Sequence, residues 1–250
     1  MTTLNQLTNA FNSRRALKII SGLQNFDHDS VRMVVRAAAA GGATFVDIAA
    51  DRELVKLAKA HCDLPICVSA VEPAKLAEAV AAGADLVEIG NYDKFYAQGR
   101  VFSAAEIIEL TQATRALLPQ IMLSVTVPHT LPLDLQVALA EQLVTCGADI
   151  IQTEGGTSSS PAHGGTLGLI EKAAPTLAAA YAIGRAVQVP VLCASGLSDV
   201  TAPMAIAAGA AGIGVGSAVN QLNDQIAMIA VVRSLRESLE GALQSSLSLR

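Results

Sequence analysis

Short apolar runs alternate along the chain with longer segments in which apolar and polar residues mix at helical spacing. Four of the runs share one pattern, a glycine that ends a helix and then a strand, at 42–49, 83–90, 147–155 and 209–216. When these glycines are aligned, four residues occupy one equivalent position: Asp47, Glu88, Gln152 and Gly214. The pattern predicts four strands that are copies of a single repeated unit.

A second pattern fills the intervals between these runs. It is an apolar run that ends at or near a serine, and it occurs at 17–22, 65–70, 120–125 and 192–196. Its serines align with one another: Ser21, Ser69, Ser124 and Ser195. Interleaving the two patterns predicts eight strands, which begin near residues 17, 44, 65, 85, 120, 149, 190 and 211. We interpret the aligned serines as part of the architecture.

Helical segments separate the strands and carry the residues expected at helix ends. Helices are predicted after Asp27, from Asp51 and from Glu72, and Asp199 is placed to begin a helix after the seventh strand. Asp, Ser and Pro favour helix starts, whereas Gly favours helix ends. Residues 2–14 predict one additional helix, which we expect at the bottom of the fold.

The order of these elements predicts an α/β fold. Strands of four to seven residues that are apolar on both faces and separated by helices are typical of a parallel sheet covered on both sides. Eight such units in 250 residues predict a (β/α)8 TIM barrel with an extra N-terminal helix, forming one domain over residues 1–250. A doubly wound open sheet is the alternative, but it does not readily explain a twofold alternation that persists through all eight strands.

Polar residues within the predicted strands can be assigned a direction, because side chains alternate between two faces along a strand. The alternation points Asp47 and Glu88 into the barrel, together with Gln152 and Glu154. Lys18 allows two orientations, but an outward lysine would lie against apolar helices, which is costly for a charge. We therefore expect Lys18 inside the barrel, close to Asp47 and Glu88.

The predicted cluster of Lys18, Asp47 and Glu88 supports two interpretations. In the first it is catalytic, and its members act as acid–base groups on a substrate. Burial would then lower the pKa of Lys18, which would act as a base or as a Schiff-base nucleophile. In the second interpretation the cluster is a buried ion-pair network that only fills the barrel.

Two loops on the expected active face are longer than the others, at 91–102 and 155–165. Long loops on this face usually serve binding, so we expect Asn91 and Gly155 to contact a substrate together with the strand residues Gln152 and Glu154. Within the second loop, His163 is a candidate general acid or base, although a surface histidine would fit the same pattern. His129, after the fifth strand, is a weaker candidate.

The seventh and eighth strands end in small residues, as expected for a phosphate site. In TIM barrels, phosphate is commonly held by the loops after these two strands, through backbone N–H groups and a helix start. The residues predicted to bind it here are Ser195, Gly196, Leu197, Gly214, Gly216 and Ser217. The alternative is that the glycines only let a helix and a strand pack closely.

Composition narrows the possible partners. The net charge of −5, the absence of Trp and the 3% aromatic content argue against a nucleic-acid partner. The sequence shows no signal peptide and no apolar run of about 18 residues, so we expect no membrane association. The four cysteines have no common zinc spacing, so no metal is expected. The Ala-rich helices allow a homo-oligomer.

Several segments resemble a known family. ALKIISGLQNFD, GGATFVDIAAD, VEIGNYDKFY and IQTEGGTSS look like the family of hypothetical chloroplast open reading frame twenty-three, a cyanobacterial and plastid family of unknown function. The resemblance covers nearly the whole chain. It implies the cytosol of a cyanobacterium or the plastid stroma as the location, and it supplies no reaction.

Two better-understood groups share pieces of the chain. Residues 147–165 and 190–218 are similar to the nitronate monooxygenase group, which implies an FMN phosphate at the final glycines and a base at His163. This chain departs from that group because it is short and its first strand lacks the flavin-contacting Pro-Met segment. Residues 147–159 and 212–219 are equally similar to N-acetylmannosamine phosphate epimerase and the ribulose-phosphate-binding barrels, which implies a sugar phosphate and no flavin.

Three functional hypotheses follow. The first is an isomerase, epimerase or lyase that acts on a small phosphorylated metabolite, and the Lys18, Asp47 and Glu88 cluster favours it. The second is an FMN-dependent oxidoreductase, favoured by the loop after the sixth strand. The third is a barrel that binds a metabolite without turning it over.

Overall fold

The eight predicted strands close into a barrel. The computed structural model describes residues 3–90, 92–156 and 159–247. Its strands are Ala16–Ile20 (β1), Phe45–Ala49 (β2), Ile66–Ala70 (β3), Leu86–Ile89 (β4), Met122–Thr126 (β5), Ile150–Gln152 (β6), Val191–Ala194 (β7) and Gly212–Val215 (β8). Each is parallel to the next, and β8 pairs with β1. Every strand begins within two residues of its predicted start, and the (β/α)8 TIM-barrel prediction is confirmed.

Helices cover the outside of the barrel. They are Thr3–Asn12 (α1), His28–Gly41 (α2), Arg52–His61 (α3), Pro73–Ala81 (α4), Asp93–Tyr96 (α5), Ala104–Leu117 (α6), Leu133–Thr145 (α7), Gly165–Ile183 (α8), Ala202–Ala207 (α9), Ser217–Asn220 (α10) and Gln225–Leu247 (α11). Of the helices in the described ranges, none is long and apolar enough to cross a membrane.

The predicted helix starts are partly confirmed. The carboxylates of Asp27 and Asp51 accept backbone N–H bonds from the first turns of α2 and α3. Glu72 directly precedes α4, which opens with Pro73, and its side chain makes no capping bond. Asp199 does not begin the next helix either. The turn after β7 is longer than expected, and α9 follows Thr201.

The extra N-terminal helix closes the bottom of the barrel, as expected. Leu7 and Phe11 on α1 are buried in a cluster with inward-facing side chains near the strand starts, among them Phe45 and Ile150. The rings of Phe11 and Phe45 lie 6.0 Å apart between centroids. With this end filled by apolar side chains, the opening of the barrel lies at the carboxyl ends of the strands.

The four aligned serines do not share one structural position. Ser69 and Ser124 lie within β3 and β5, in register with Glu88 on the strand between them. Ser21 and Ser195 lie outside the sheet, because β1 ends at Ile20 and β7 ends at Ala194. The serine pattern is therefore architectural in β3 and β5, whereas in β1 and β7 it marks loops at the mouth of the barrel.

Candidate functional site

A buried polar cluster occupies the middle of the barrel. The Nζ atom of Lys18 lies 2.6 Å from Glu88 Oε2, 3.0 Å from Gln152 Oε1 and 3.5 Å from Asp47 Oδ2. The side chains of Lys18, Asp47 and Glu88 have no exposed surface. The predicted inward orientation of Lys18 is therefore what the structure has. Asp47, Glu88 and Gln152, equivalent in the sequence repeat, all point at this lysine.

Hydrogen bonds satisfy the oxygens of this cluster. Glu88 Oε2 also accepts from the Ser124 hydroxyl at 2.9 Å, and Glu88 Oε1 accepts from the Gln152 amide at 2.8 Å. Asp47 Oδ1 accepts from the Ser69 hydroxyl at 2.5 Å. A buried charge is tolerated only when it is paired and hydrogen-bonded, and this arrangement supplies both kinds of contact within the cluster.

The lysine of the cluster is held in its charged form. Burial acts to lower the pKa of Lys18, but the neighbouring carboxylates of Asp47 and Glu88 outweigh it, and the pKa is raised. Burial also raises the pKa of Glu88, against the opposing effect of Lys18. The prediction of a lowered pKa for Lys18 is therefore wrong, and a Schiff-base nucleophile, which needs a neutral amine, does not fit this lysine.

A cavity of about 610 Å³ opens at the carboxyl ends of the strands, above the cluster. Its walls come from the loop after β1, from the start of α5 and from the ends of β5 to β8. Gln152 lines this cavity, whereas Lys18, Asp47 and Glu88 lie below its floor. Within the described residues, the cluster thus reaches the cavity through the amide of Gln152.

One wall of the cavity is acidic. Glu154 lies two residues past the end of β6, and its Oε1 atom accepts three hydrogen bonds. The donors are the Tyr96 hydroxyl at 2.5 Å, the His129 backbone N–H at 3.0 Å and His129 Nδ1 at 3.0 Å. Burial raises the pKa of Glu154, and the hydrogen bond that His129 donates to Glu154 raises the pKa of His129. Asp93, at the start of α5, lines the same wall.

The turn after β7 forms the adjoining part of the cavity wall, beside Asp93. Ser195 and Gly196 are consecutive left-handed residues, with φ of 76° and 74°. A side chain at position 196 is excluded, since its Cβ would lie 2.7 Å from the Cα of Gly156. Left-handed backbone at a residue other than glycine costs free energy, and such strain clusters at binding sites. Ser195 and Gly196 line the cavity together with Gly216 and Ser217.

The same turn presents unused backbone donors. In the described part of the chain, no backbone carbonyl accepts the N–H groups of Gly196 and Leu197. Leu197 itself does not line the cavity, and its side chain packs into the core. The unused N–H groups of Gly196 and Leu197 belong to the turn after β7. The helix that follows β8, α10, begins at Ser217 and is only four residues long.

Gly214 does not line the cavity. It lies inside the barrel, where an added Cβ would come within 2.9 Å of the Cβ of Ala194. At Gly214 the structure fits the alternative interpretation, in which the glycine allows close packing. Gly155 also lies outside the cavity lining and packs against His129, and Asn91 is outside the described residues.

His163 is not brought to the cavity. Its side chain is 60% exposed, and its Nδ1 atom lies 2.6 Å from Glu171 Oε1 on α8. The backbone N–H groups of Ala162 and His163 also donate to Glu171. These bonds fold the loop back onto its own helix, so the surface interpretation of His163 fits the structure.

Comparisons with known proteins identify the family. A family model described as "Protein of unknown function (DUF561)" matches residues 2–245. The chain belongs to the DUF561 family. Relatives of this DUF561 protein include "Uncharacterized protein ycf23" of Pyropia yezoensis, which is 38% identical over 96% of this chain and 88% of the relative. The ycf23 protein of Cyanophora paradoxa is 41% identical over 92% and 95% of the two chains. The family resemblance seen in the sequence is confirmed.

Solved structures similar to this DUF561 protein are TIM barrels. Thiamine phosphate pyrophosphorylase from Pyrococcus furiosus is 21% identical with a TM-score of 0.59, over 92% of this chain and 98% of that one. (S)-3-O-geranylgeranylglyceryl phosphate synthase from Thermoplasma acidophilum, solved in complex with sn-glycerol-1-phosphate, is 15% identical with a TM-score of 0.62, over 96% and 98%. At these identities the likeness shows the fold.

The acidic wall was largely missed in the sequence. Glu154 was predicted from strand alternation, but Asp93 and Tyr96 were not singled out, and His129 was ranked as a weaker candidate. The available signal was their position, because Asp93 and His129 lie four and three residues past the ends of β4 and β5, and Tyr96 ends the short helix α5 that follows β4. Ends of adjacent parallel strands meet at one edge of the barrel, so polar residues at these positions converge.

Proposed function

We propose that this DUF561 protein is an enzyme that binds a small phosphorylated metabolite in the cavity at the mouth of the barrel. The phosphate would lie against the turn after β7 and the end of β8, at Ser195, Gly196, Leu197, Gly216 and Ser217. The observation that carries the proposal is the pair of free backbone N–H groups at Gly196 and Leu197, beside a left-handed turn that lines the cavity. Oriented backbone N–H groups of this kind form anion sites.

The reaction class follows from the two unlike walls. A ligand whose phosphate lies at the β7 turn would place the rest of its skeleton toward Gln152 and the acidic wall. Isomerases, epimerases and lyases need polar groups at this end to stabilise charge that develops on the substrate. We therefore propose that the enzyme is an isomerase, an epimerase or a lyase. Two of the similar barrels, a thiamine phosphate pyrophosphorylase and a synthase with bound sn-glycerol-1-phosphate, are consistent with a phosphorylated substrate.

Lys18, Asp47 and Glu88 are assigned a positioning role within this proposal. They have no exposed surface, so they act on a ligand through Gln152, whose amide oxygen accepts from Lys18 and whose amide nitrogen donates to Glu88. This bonding fixes which face of the Gln152 amide meets the cavity. A preoriented amide costs no reorganisation when the ligand binds.

An FMN-dependent oxidoreductase is less well supported. That hypothesis took His163 as the base, and His163 is bonded to Glu171 outside the cavity. An FMN phosphate would use the same β7 turn as a sugar phosphate, so the two ligands are compared directly in the experiment below.

The location is part of the proposal. The family resemblance and the relatives from Pyropia yezoensis and Cyanophora paradoxa support the cytosol of a cyanobacterium or the plastid stroma. The net charge of −5 supports a small-molecule partner over a nucleic acid.

The test is a thermal-shift titration with ribose 5-phosphate, ribose, inorganic phosphate and FMN. Saturation at 100 times Kd adds about 2.7 kcal/mol of stability, which in a chain of this size raises Tm by roughly 5–10 °C. We expect ribose 5-phosphate to raise Tm, inorganic phosphate to compete with it, and ribose to have no effect. A response to FMN alone would favour the oxidoreductase, and no response to any phosphate would contradict the proposal.

A matched pair of glycine variants locates the ligand. Gly216→Leu would extend a side chain into the cavity, and its Cβ meets only ordinary contacts with Ile20. Gly164→Leu places the same side chain in open space at the start of α8. We expect the first variant to lose the response to ribose 5-phosphate and the second to keep it. Equal responses of the two variants would show that the phosphate does not bind at the ends of β7 and β8.

A further inference from the structure

We propose that Asp93, His129 and Glu154 bind a divalent metal cation at the acidic wall of the cavity. The three residues follow β4, β5 and β6, which are adjacent strands, so their loops converge at the mouth of the barrel. Each residue offers one ligand atom, and these atoms lie within 4.8 Å of one another. That spacing fits three donors around one cation, because metal–ligand distances of about 2.0–2.2 Å put donor atoms roughly 3–4 Å apart.

Glu154 supplies the first independent observation. Its side chain is buried, only 4% of the residue is exposed, and it lines the cavity. All three of its donors bond to Oε1, while the buried Oε2 atom has no hydrogen-bond partner. A buried carboxylate oxygen without a partner is rare and costly in a folded protein. The uneven use of the two oxygens leaves one free for a ligand that carries positive charge.

Asp93 repeats the pattern on the neighbouring loop. Its Oδ1 atom is also buried without a hydrogen-bond partner, and its Oδ2 atom lies 3.5 Å from the Ser195 hydroxyl. Asp93 and Glu154 both line the cavity, and each therefore carries one buried carboxylate oxygen without a hydrogen-bond partner. Two carboxylates repel each other at such a site unless a cation or a proton lies between them.

His129 completes the donor set. Its Nδ1 atom lies 3.0 Å from Glu154 Oε1, and its ring packs edge-on against Tyr96 with centroids 5.1 Å apart. Glu154 Oε1 and His129 Nδ1 are therefore close enough to contact one cation, which would take the place of the proton in the hydrogen bond between them.

The donor set indicates the class of cation. Imidazole suits zinc and other transition metals, whereas carboxylates suit manganese and magnesium. A set of one nitrogen and two oxygens therefore fits Mn²⁺ or Zn²⁺ better than Mg²⁺ or Ca²⁺. Three protein ligands leave coordination positions open for water or a bound molecule.

The place of the cation complements the phosphate site. Asp93 approaches Ser195 of the β7 turn, so the cation would lie next to the proposed phosphate and could neutralise charge on the substrate. The metal site nevertheless stands on its own observations and does not rest on the proposed function.

The test is a titration of tag-free, EDTA-treated protein with Mn²⁺, followed by electron paramagnetic resonance, and with Zn²⁺ by calorimetry. We expect one site per chain, and we expect Glu154→Gln and Asp93→Asn each to weaken binding by about tenfold or more. Glu171→Gln is the matched control, because Glu171 also bonds a histidine, at the exposed His163 pair.

Either of two results would overturn the metal site. The first is the absence of saturable metal binding. The second is a Glu154→Gln variant that folds, as judged by circular dichroism, and binds the metal as tightly as Glu171→Gln. If a carboxylate variant fails to fold, His129→Gln is measured in its place and must show the same loss. The ribose 5-phosphate titration is run separately on EDTA-treated protein, so loss of one response leaves the other interpretable.

Discussion

Lys18 Nζ lies 2.6 Å from Glu88 Oε2 at the centre of the barrel, and neither side chain is exposed to solvent. Asp47 adds a second carboxylate at 3.5 Å from the same nitrogen. One cation thus faces two carboxylates in a region without water contact. The ion pairs hold these side chains inside the barrel. Lys18 also donates a hydrogen bond to Gln152 and so orients the amide that lines the cavity.

Replacement of the central lysine should destabilise the protein strongly. Lys18→Met removes the cation and leaves the carboxylates of Glu88 and Asp47 buried, which we expect to cost about 3–5 kcal/mol. Urea denaturation measures the loss. The compensated variant Lys18→Met/Glu88→Gln/Asp47→Asn should recover much of the stability, and a loss below about 1 kcal/mol in the single variant would show that the cluster is not the closed network described here.

The bottom of the barrel should matter for stability but not for ligand binding. Phe11→Ala removes a buried ring that packs on Phe45, and we expect a loss of about 3 kcal/mol or more. Phe26→Ala, at a residue that is 56% exposed, is the control and should cost less than about 0.5 kcal/mol. Under conditions where Phe11→Ala remains folded, its affinity for ribose 5-phosphate should match that of the wild type. A large change in affinity would indicate that the two ends of the barrel are coupled.

His163 should be dispensable. Because it lies outside the cavity, His163→Ala should leave the affinity for ribose 5-phosphate and for Mn²⁺ within about twofold of the wild type, a difference of about 0.4 kcal/mol. Isothermal titration of both ligands checks this. A loss of tenfold or more would restore the sequence-based role of this histidine.

Stability should depend on pH through the acidic wall. Burial raises the pKa of Glu154 above its ordinary value of 4.5, and the hydrogen bond that His129 donates to Glu154 raises the pKa of His129 above 6.5. In both cases the native protein binds more protons than the unfolded chain, so these contributions to stability are lost as pH rises through the raised pKa values. Asp93 and Tyr96 face the same two groups.

The pH prediction is measured as Tm between pH 4.5 and 8.5 in EDTA-treated protein. We expect Tm to fall less steeply in Glu154→Gln than in the wild type. Mn²⁺ should oppose the fall, because a cation favours ionised Glu154 and neutral His129. Parallel curves for the two proteins would show that Glu154 does not titrate in this range.

Much of the barrel could be predicted from the sequence, for a physical reason. A strand has a period of two and each repeat begins at a helix-ending glycine, so the direction of Asp47, Glu88 and Gln152 followed from local pattern. The free-energy cost of a charged lysine among apolar helices likewise indicated that the Lys18 side chain points into the barrel. Loop paths follow no such period. The loop with His163 is fixed by Glu171, eight residues on, and Tyr96, His129 and Glu154 meet only because three loops converge.

The most direct test of the phosphate site is a titration of ¹⁵N-labelled protein with ribose 5-phosphate, followed by the backbone amide resonances. The proposed site predicts saturable shifts of the Gly196 and Leu197 amides in the wild type and in Gly164→Leu, and their absence in Gly216→Leu. Saturable shifts that leave Gly196 and Leu197 unmoved, or no saturable shift at all, would contradict it.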